Sequence, residues 1–321
     1  MKKILSALAF MLAALVAPTH AADFPTKPVT IITSFPVGSG PDGYARQLTE
    51  SLTKKLGVPV ILDNRPGANG VVSLEAFNRA PRDGHTVYFT DPTIVNGYQL
   101  VYSKDNLTVN LKTLVPATMT DLVLVTSTKI NSYSELKQAM EKNPSYGSWA
   151  VGSTGQMYSE QLARYMKVTA THIPYRDYGQ WFIDLSNQAM PYSFATMASA
   201  QALERAGKIK FLAIAASHRD PMYPAVPTID ELVGKKTGIY GPRTGAAFYI
   251  SKDIPADAEN SLRNAFKEAL QTPNVKEAIA SRNYKHWTIN SDAGINKAMA
   301  EDASQYYQLI KDLSIDIRIV Q

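Results

Sequence analysis

The chain predicts an α/β protein of two domains, each a mixed, mostly parallel sheet flanked by helices. Three observations lead there. Strand-like and helix-like stretches alternate along the sequence, and the alternation occurs twice. The length, 321 residues, is generous for one core and comfortable for two. The composition, 45% apolar and 19% charged, is that of a globular chain and not a disordered one.

The first residues stand apart from this pattern. Met1-Lys2-Lys3, the apolar run Ile4 to Val16 and the flank Ala17-Pro18-Thr19-His20-Ala21 have the three parts of a secretory signal peptide, with cleavage after Ala21 or Ala22. The apolar run is too short to cross a bilayer. Residues 1–21 are therefore expected to be removed, leaving a soluble exported monomer, periplasmic in a Gram-negative cell. Losing Lys2 and Lys3 lowers the formal charge from +5 to +3, which withdraws the support for a nucleic-acid partner. Cysteine is absent, so disulfides, thiolate nucleophiles, iron–sulfur clusters and cysteine zinc sites are excluded together.

The elements follow in order. Val29 to Phe35 reads as a strand, and Pro36-Val37-Gly38-Ser39-Gly40-Pro41-Asp42 turns it into a helix carrying Ala45, Leu48, Leu52 and Leu56 on one face. Val58 to Leu62 is a strand, Asn64 to Gly70 a turn, Val71 to Arg79 a helix and His85 to Thr90 a strand. A second unit begins near Leu114. It offers strand Leu122 to Val125, helix Ser134 to Glu141, strand Tyr146 to Val151, and a helix opened by Gly152-Ser153-Thr154-Gly155 and running to about Lys167. Strand Thr171 to Tyr175, helix Trp181 to Ser186, strand Tyr192 to Thr196, helix Ser199 to Ala206 and strand Ile209 to Ala216 complete it. The tail adds helix Ala256 to Gln271, a short helix from Val275, strand His286 to Ile289 and a long helix from Asp292. It holds too few strands to stand alone and is expected to return to the first unit. The first domain is then 22–115 plus 218–321, the second 116–217, and the two chain crossings form a hinge beside a ligand cleft.

Two loops carry the functional argument. Val37-Gly38-Ser39-Gly40 and Gly152-Ser153-Thr154-Gly155 each join the carboxyl end of a strand to a helix start, where backbone N–H groups and the positive end of the helix dipole suit a carboxylate or phosphate. One lies in each domain, so if the domains face each other two anion sites would lie across one cleft, which suits a ligand carrying a carboxylate. Each loop by itself is also explained by helix capping through Ser39, Ser153 or Thr154.

A rival reading is an exported dinucleotide-binding oxidoreductase. Gly38-Ser39-Gly40-Pro41-Asp42-Gly43 is a literal G-x-G-x-x-G after a strand, and Asp63 follows at the fingerprint spacing. Export of an unfolded chain without twin arginines argues against a carried cofactor, and no cofactor is expected. The histidines His85, His172, His218 and His286 are scattered, so no metal site is expected either. Ser153 lies outside the G-x-S-x-G elbow, which argues against a serine nucleophile.

Further stretches bear a family likeness. Asp23-Phe24-Pro25-Thr26-Lys27-Pro28-Val29, the loop Phe35 to Asp42, Asp63-Asn64-Arg65-Pro66-Gly67-Ala68-Asn69-Gly70, Ala80 to Thr86, His172-Ile173-Pro174-Tyr175-Arg176 and Val226 to Glu231 resemble, in order, the Bug receptors of tripartite tricarboxylate transporters. The resemblance implies a type II-like periplasmic binding protein with a two-strand hinge, not an enzyme, which captures a small di-, tri- or aromatic carboxylate and delivers it to the membrane permease subunits. A receptor presenting its ligand to a signalling partner would share every site residue. The family's loop positions fall on Val37, Gly38, Ser39 and Gly40 and on Ser153, Thr154, Gly155 and Gln156. The strand ends Thr90, Asp91 and Thr93, then Tyr175, Arg176 and Asp177, then Thr196 and Ser199, would surround the rest of the ligand. The chain departs from the family at Ser39, Pro41, Asp177 and Asn187 to Pro191, which puts the distal part of the cleft in question. Arg176 or Arg243 would suit a second carboxylate. Tyr158, Tyr175, Tyr178 and Trp181 would suit an aromatic one.

Overall fold

The computed structural model describes residues 24–67, 70–101, 110–175, 177–242, 244–289 and 291–317. The leader residues 1–21 lie outside that set. Two sheets organise the chain. The first has the order β11-β4-β10-β3-β1-β2, built from β1 (Val29–Thr33), β2 (Val60–Asn64), β3 (Thr86–Thr90), β4 (Leu111–Thr120), β10 (Thr244–Ser251) and β11 (Lys285–His286). The second has the order β7-β6-β8-β5-β9, from β5 (Leu122–Ser127), β6 (Ser145–Ser148), β7 (Thr171–Pro174), β8 (Tyr192–Thr196) and β9 (Ile209–Ile214).

Between the described strands, parallel pairing is confined to β2-β1-β3 and β7-β6-β8, where a helix returns the chain over the sheet. The remaining pairs are antiparallel. The chain leaves the first sheet between Thr120 and Leu122 and re-enters it at Thr244. Residues 115 and 116, where the sequence reading sets the domain boundary, lie inside β4: Pro116 pairs with Ala247 at a bulge, and pairing continues to Thr120 against Thr244. The tail supplies β10, a strand the sequence reading did not name, to the middle of the first sheet.

Helix α1 (Gly40–Leu56) shows why these segments fold locally. Ser39 caps it, Pro41 sits in its first turn, and Gly57 ends it in the left-handed conformation. Its buried face, Tyr44, Ala45, Leu48 and Leu52, packs with Leu262 and Phe266 of α9 (Ala256–Leu270) over β1, β3 and β10. Phe248 stacks on Phe89 at 4.3 Å between ring centroids and meets Phe266 edge-on. In the second sheet β5 is buried on both faces, with Leu122 and Leu124 in one cluster and Val123 and Val125 in the other.

Around these sheets lie α2 (Val71–Arg79), α3 (Pro92–Val101), α4 (Tyr133–Lys142), α5 (Thr154–Tyr165), α6 (Tyr178–Ser186), α7 (Met197–Arg205), α8 (Ile229–Val233), α10 (Pro273–Ala280) and α11 (Asp292–Asp312). Helix α11 spans both lobes. At its start Asp292 accepts from Lys267 of α9. At its end Arg164 of α5 donates to the carbonyls of Asp312 and Leu313 at 2.8 and 2.6 Å. A third tie joins the crossings: Lys285 of β11 lies 2.5 Å from Asp121, between β4 and β5, and 3.3 Å from the buried Asp220 beyond β9.

Candidate functional site: two matching turns

The two loops named from sequence adopt one geometry. Gly38 and Gly152 have φ of +82° and +76°, a region that favours glycine. The next residue, Ser39 or Ser153, is an extended N-cap whose Oγ accepts from the N–H three residues on, Asp42 at 3.4 Å and Gln156 at 3.2 Å. The side chain four residues after each glycine then reaches back to it: Gly38 N donates to Asp42 Oδ2 at 2.9 Å, and Gly152 N to Gln156 Oε1 at 2.7 Å.

Their surroundings differ. The first turn is open, with Val37 at 70% exposure. Its dipole is already met by a carboxylate of the chain itself, because Asp42 accepts from Arg46 Nε and Nη2 at 3.0 Å each and from Asn64 Nδ2 at 2.9 Å. Burial pushes the Asp42 carboxyl upward, yet Arg46, the Gly38 N–H and Asn64 outweigh it and leave the group below its ordinary value. Ser39 N donates to Pro36 O, so among the described residues the Val37 and Gly40 N–H groups are the ones left in this loop.

The second turn is buried from Ser153 to Tyr158 and has no acid in its helical first turn. Ser153 Oγ donates to Ser148 Oγ at 3.1 Å; Ser148 Oγ also lies 2.7 Å from His172 Nε2 and donates to Ala150 O. Burial lowers the His172 pKa to about 4, so the imidazole is neutral near pH 7, with Nε2–H placed to donate to Ser148. Thr154 is fully buried, and its hydroxyl has no partner among the described residues. At Gly155 a Cβ would stand 2.6 Å from the Phe194 carbonyl oxygen, so only glycine lets α5 lie this close to β8.

The other sequence-predicted residues are distributed unevenly. Thr90 Oγ1 and Ser34 Oγ share a 2.6 Å bond in the interior. Asp91 is buried and accepts from Thr93 N and Oγ1 at 2.7 Å and from Thr244 Oγ1 at 2.9 Å, fastening β3 to β10. Burial raises its pKa against those bonds. Asp91 and Thr93 thus face each other inside the fold. Tyr175 donates its hydroxyl to Asp184, and Asp177 caps α6 through Gln180 N. Thr196 and Ser199 cap α7 reciprocally. Arg176 and Arg243 lie outside the described residues. Of the four aromatic candidates, Trp181 and Tyr158 are core and Tyr175 is engaged with α6, whereas Tyr178 is 41% exposed.

Residues that the sequence reading passed over bring the lobes together. The Tyr284 ring covers Gly40, 2.8 Å from where a Cβ would be, and its side chain lies close to Thr196 of the second lobe. Asn283 lies against Met197, and Ala198 packs on the first lobe's core. The dinucleotide fingerprint is filled: Asp42 occupies the Gly38 amide, and the Arg282 guanidinium covers Gly43. Among the described residues no group of three or more histidine, aspartate or glutamate side chains is placed for a metal. A small hollow lined by Phe77, Arg82, Thr86, Ser251 and Ile254 lies at the other ends of β3 and β10, away from both turns.

A family model described as tripartite tricarboxylate transporter family receptor matches residues 44–315. The chain belongs to that family. Protein BugT of Bordetella pertussis is 30% identical to this receptor over 280 residues, covering 84% of each chain. The periplasmic binding protein BugD has a similar structure, with a TM-score of 0.78 at 20% identity over 91% of this receptor and 99% of BugD. MatC from Rhodopseudomonas palustris, solved with bound malate, gives 0.75 at 23% identity over 89% and 100%. Those structural likenesses carry the fold, that of a periplasmic binding protein. The receptor is a solute-binding protein and not an enzyme.

Proposed function

We propose that this receptor holds a small carboxylate between its two lobes and delivers it to the permease subunits of a tripartite tricarboxylate transporter. The observation that carries the reading is the matched pair of Gly-Ser turns, one per lobe. The second of them combines an acid-free helix N-terminus with the buried, unpartnered Thr154 hydroxyl. A carboxylate there would accept from Thr154 and from the amides at the start of α5, while the Val37 and Gly40 amides would meet it from the other lobe. The malate bound to MatC is of this chemical class. The lobes are taken as 24–120 with 244–317 and as 122–214, with the boundary at Asp121. Export follows from the leader, cleaved after Ala21 or Ala22, and N-terminal sequencing of the mature protein from a periplasmic extract checks it.

The test is thermal unfolding of the mature protein with malate, succinate, citrate and benzoate. Ligand at a hundred times its Kd adds about 2.7 kcal/mol to stability, so Tm climbs with concentration for the right acid. A Tm unmoved by every one of them overturns the carboxylate assignment.

A further inference from the structure

We propose that Trp149 is the latch between the lobes: the residue whose indole joins the two cores and shuts the cleft beside the second turn. It stands immediately after β6 and three residues before Gly152. Its side chain packs on the second lobe's cluster of Val123, Val125, Trp181 and Phe182 and also on the first lobe's cluster of Ile32, Leu74, Ile94 and Val95. Among the described partly buried apolar residues it is the one that packs against two separate clusters, one in each lobe. Ile94 and Val95 lie in the first turn of α3, directly beyond Asp91, so the indole lies where the β3–α3 and β6–α5 connections meet.

Chemistry favours this role. An indole brings the largest apolar surface of any side chain, and burying it between surfaces that separate on opening makes closure favourable by itself. The polar ties across the lobes join other elements, Lys285 at the crossings and Arg164 at the end of α11. Trp149 is instead tied to the turn that receives the ligand. Its backbone neighbours are held by the Ser148–His172 and Ser148–Ser153 bonds, so a turn ordered by ligand presents the indole in one position. The latch rests on the two-lobe ligand reading for its purpose, though not for its test.

The experiment is small-angle scattering of the mature protein without added ligand, comparing wild type, Trp149→Phe and Trp149→Ala. The latch predicts a larger radius of gyration for Trp149→Ala and a value near wild type for Trp149→Phe; equal radii for all three overturn it. Should Trp149→Ala not fold, acrylamide quenching of Trp287→Phe decides. Trp181 is fully buried, so a protected emission supports the latch and a freely quenched fraction overturns it. With malate as probe, a wild type that binds and a Trp149→Ala variant at least tenfold weaker add support, and an equal Kd counts against the latch. If wild type binds no carboxylate, the ligand assignment fails while the scattering result still decides the latch.

Discussion

The turns at Gly38 and Gly152 share a backbone and differ in what surrounds it. In the first, the chain supplies its own anion, Asp42, fixes it with Arg46, and leaves the turn in water. In the second, neutral Gln156 fills the same role, the turn is buried, and a hydroxyl has no partner among the described residues. A local motif thus sets geometry, while burial and one charge decide how much of each turn's hydrogen-bonding capacity the chain itself already uses.

The strongest way to break this contrast is at the close approach. Gly155→Ala pushes a Cβ into the Phe194 carbonyl and is expected to cost about 3 kcal/mol, whereas Pro41→Ala at the matching position is expected to stay within about 1 kcal/mol; urea unfolding of both measures the gap. Thr154→Val separates binding from folding. Removing an unpartnered buried hydroxyl leaves stability equal or slightly higher, while loss of a hydrogen bond to a carboxylate costs about 2 kcal/mol, roughly thirtyfold in Kd. Calorimetric titration with the acid found by thermal shift, beside the unfolding midpoint, tests both halves; unchanged affinity would remove Thr154 from the site.

Acid titration sharpens the comparison further. The His172 pKa is depressed from 6.5 to about 4, so the unfolded chain binds the proton first, and this group's contribution to stability is lost as pH falls from 6.5 to about 4. After allowance for its partial exposure the loss is about 2 kcal/mol, and Tm against pH for His172→Gln should lack that slope. Asp42 is also depressed, from 3.8, but its contribution is present above that value and is lost only as pH falls below it. Asp42→Asn is therefore expected to cost about 1 kcal/mol at pH 7 and to flatten the curve only in the most acidic range. The second turn's contribution fades first on acidification, the first turn's afterwards.

The turns were legible from sequence because everything that makes them is local: a strand, Gly-Ser and a helix start within a few residues. Strand β10 was not. Thr244-Gly245-Ala246-Ala247 is a small-residue run with little strand character, and it becomes central only by pairing with β4, more than a hundred residues earlier. Helix α3 was hidden by β-branched Thr93, Ile94 and Val95. It forms because Asp91 caps it and Tyr306 of α11 lies over Gly97. Asp91 reads as a cleft residue from its place at a strand end, yet Thr244 arrives from the returning chain and turns it inward. Tyr284 and Trp149 matter for what they touch in the opposite lobe, and no spacing along one segment records that.

The long C-terminal helix α11 behaves as the pin of a door. It is anchored to one lobe at Asp292 and to the other at Asp312, with Tyr306 lodged beside Gly152. Were the lobes to open, rotation about the helix axis is the motion that would keep the Arg164 clasp intact. Displacement would then grow with distance from that axis: residues beside it, such as Met157, would turn almost in place, while the outer rim would carry the swing.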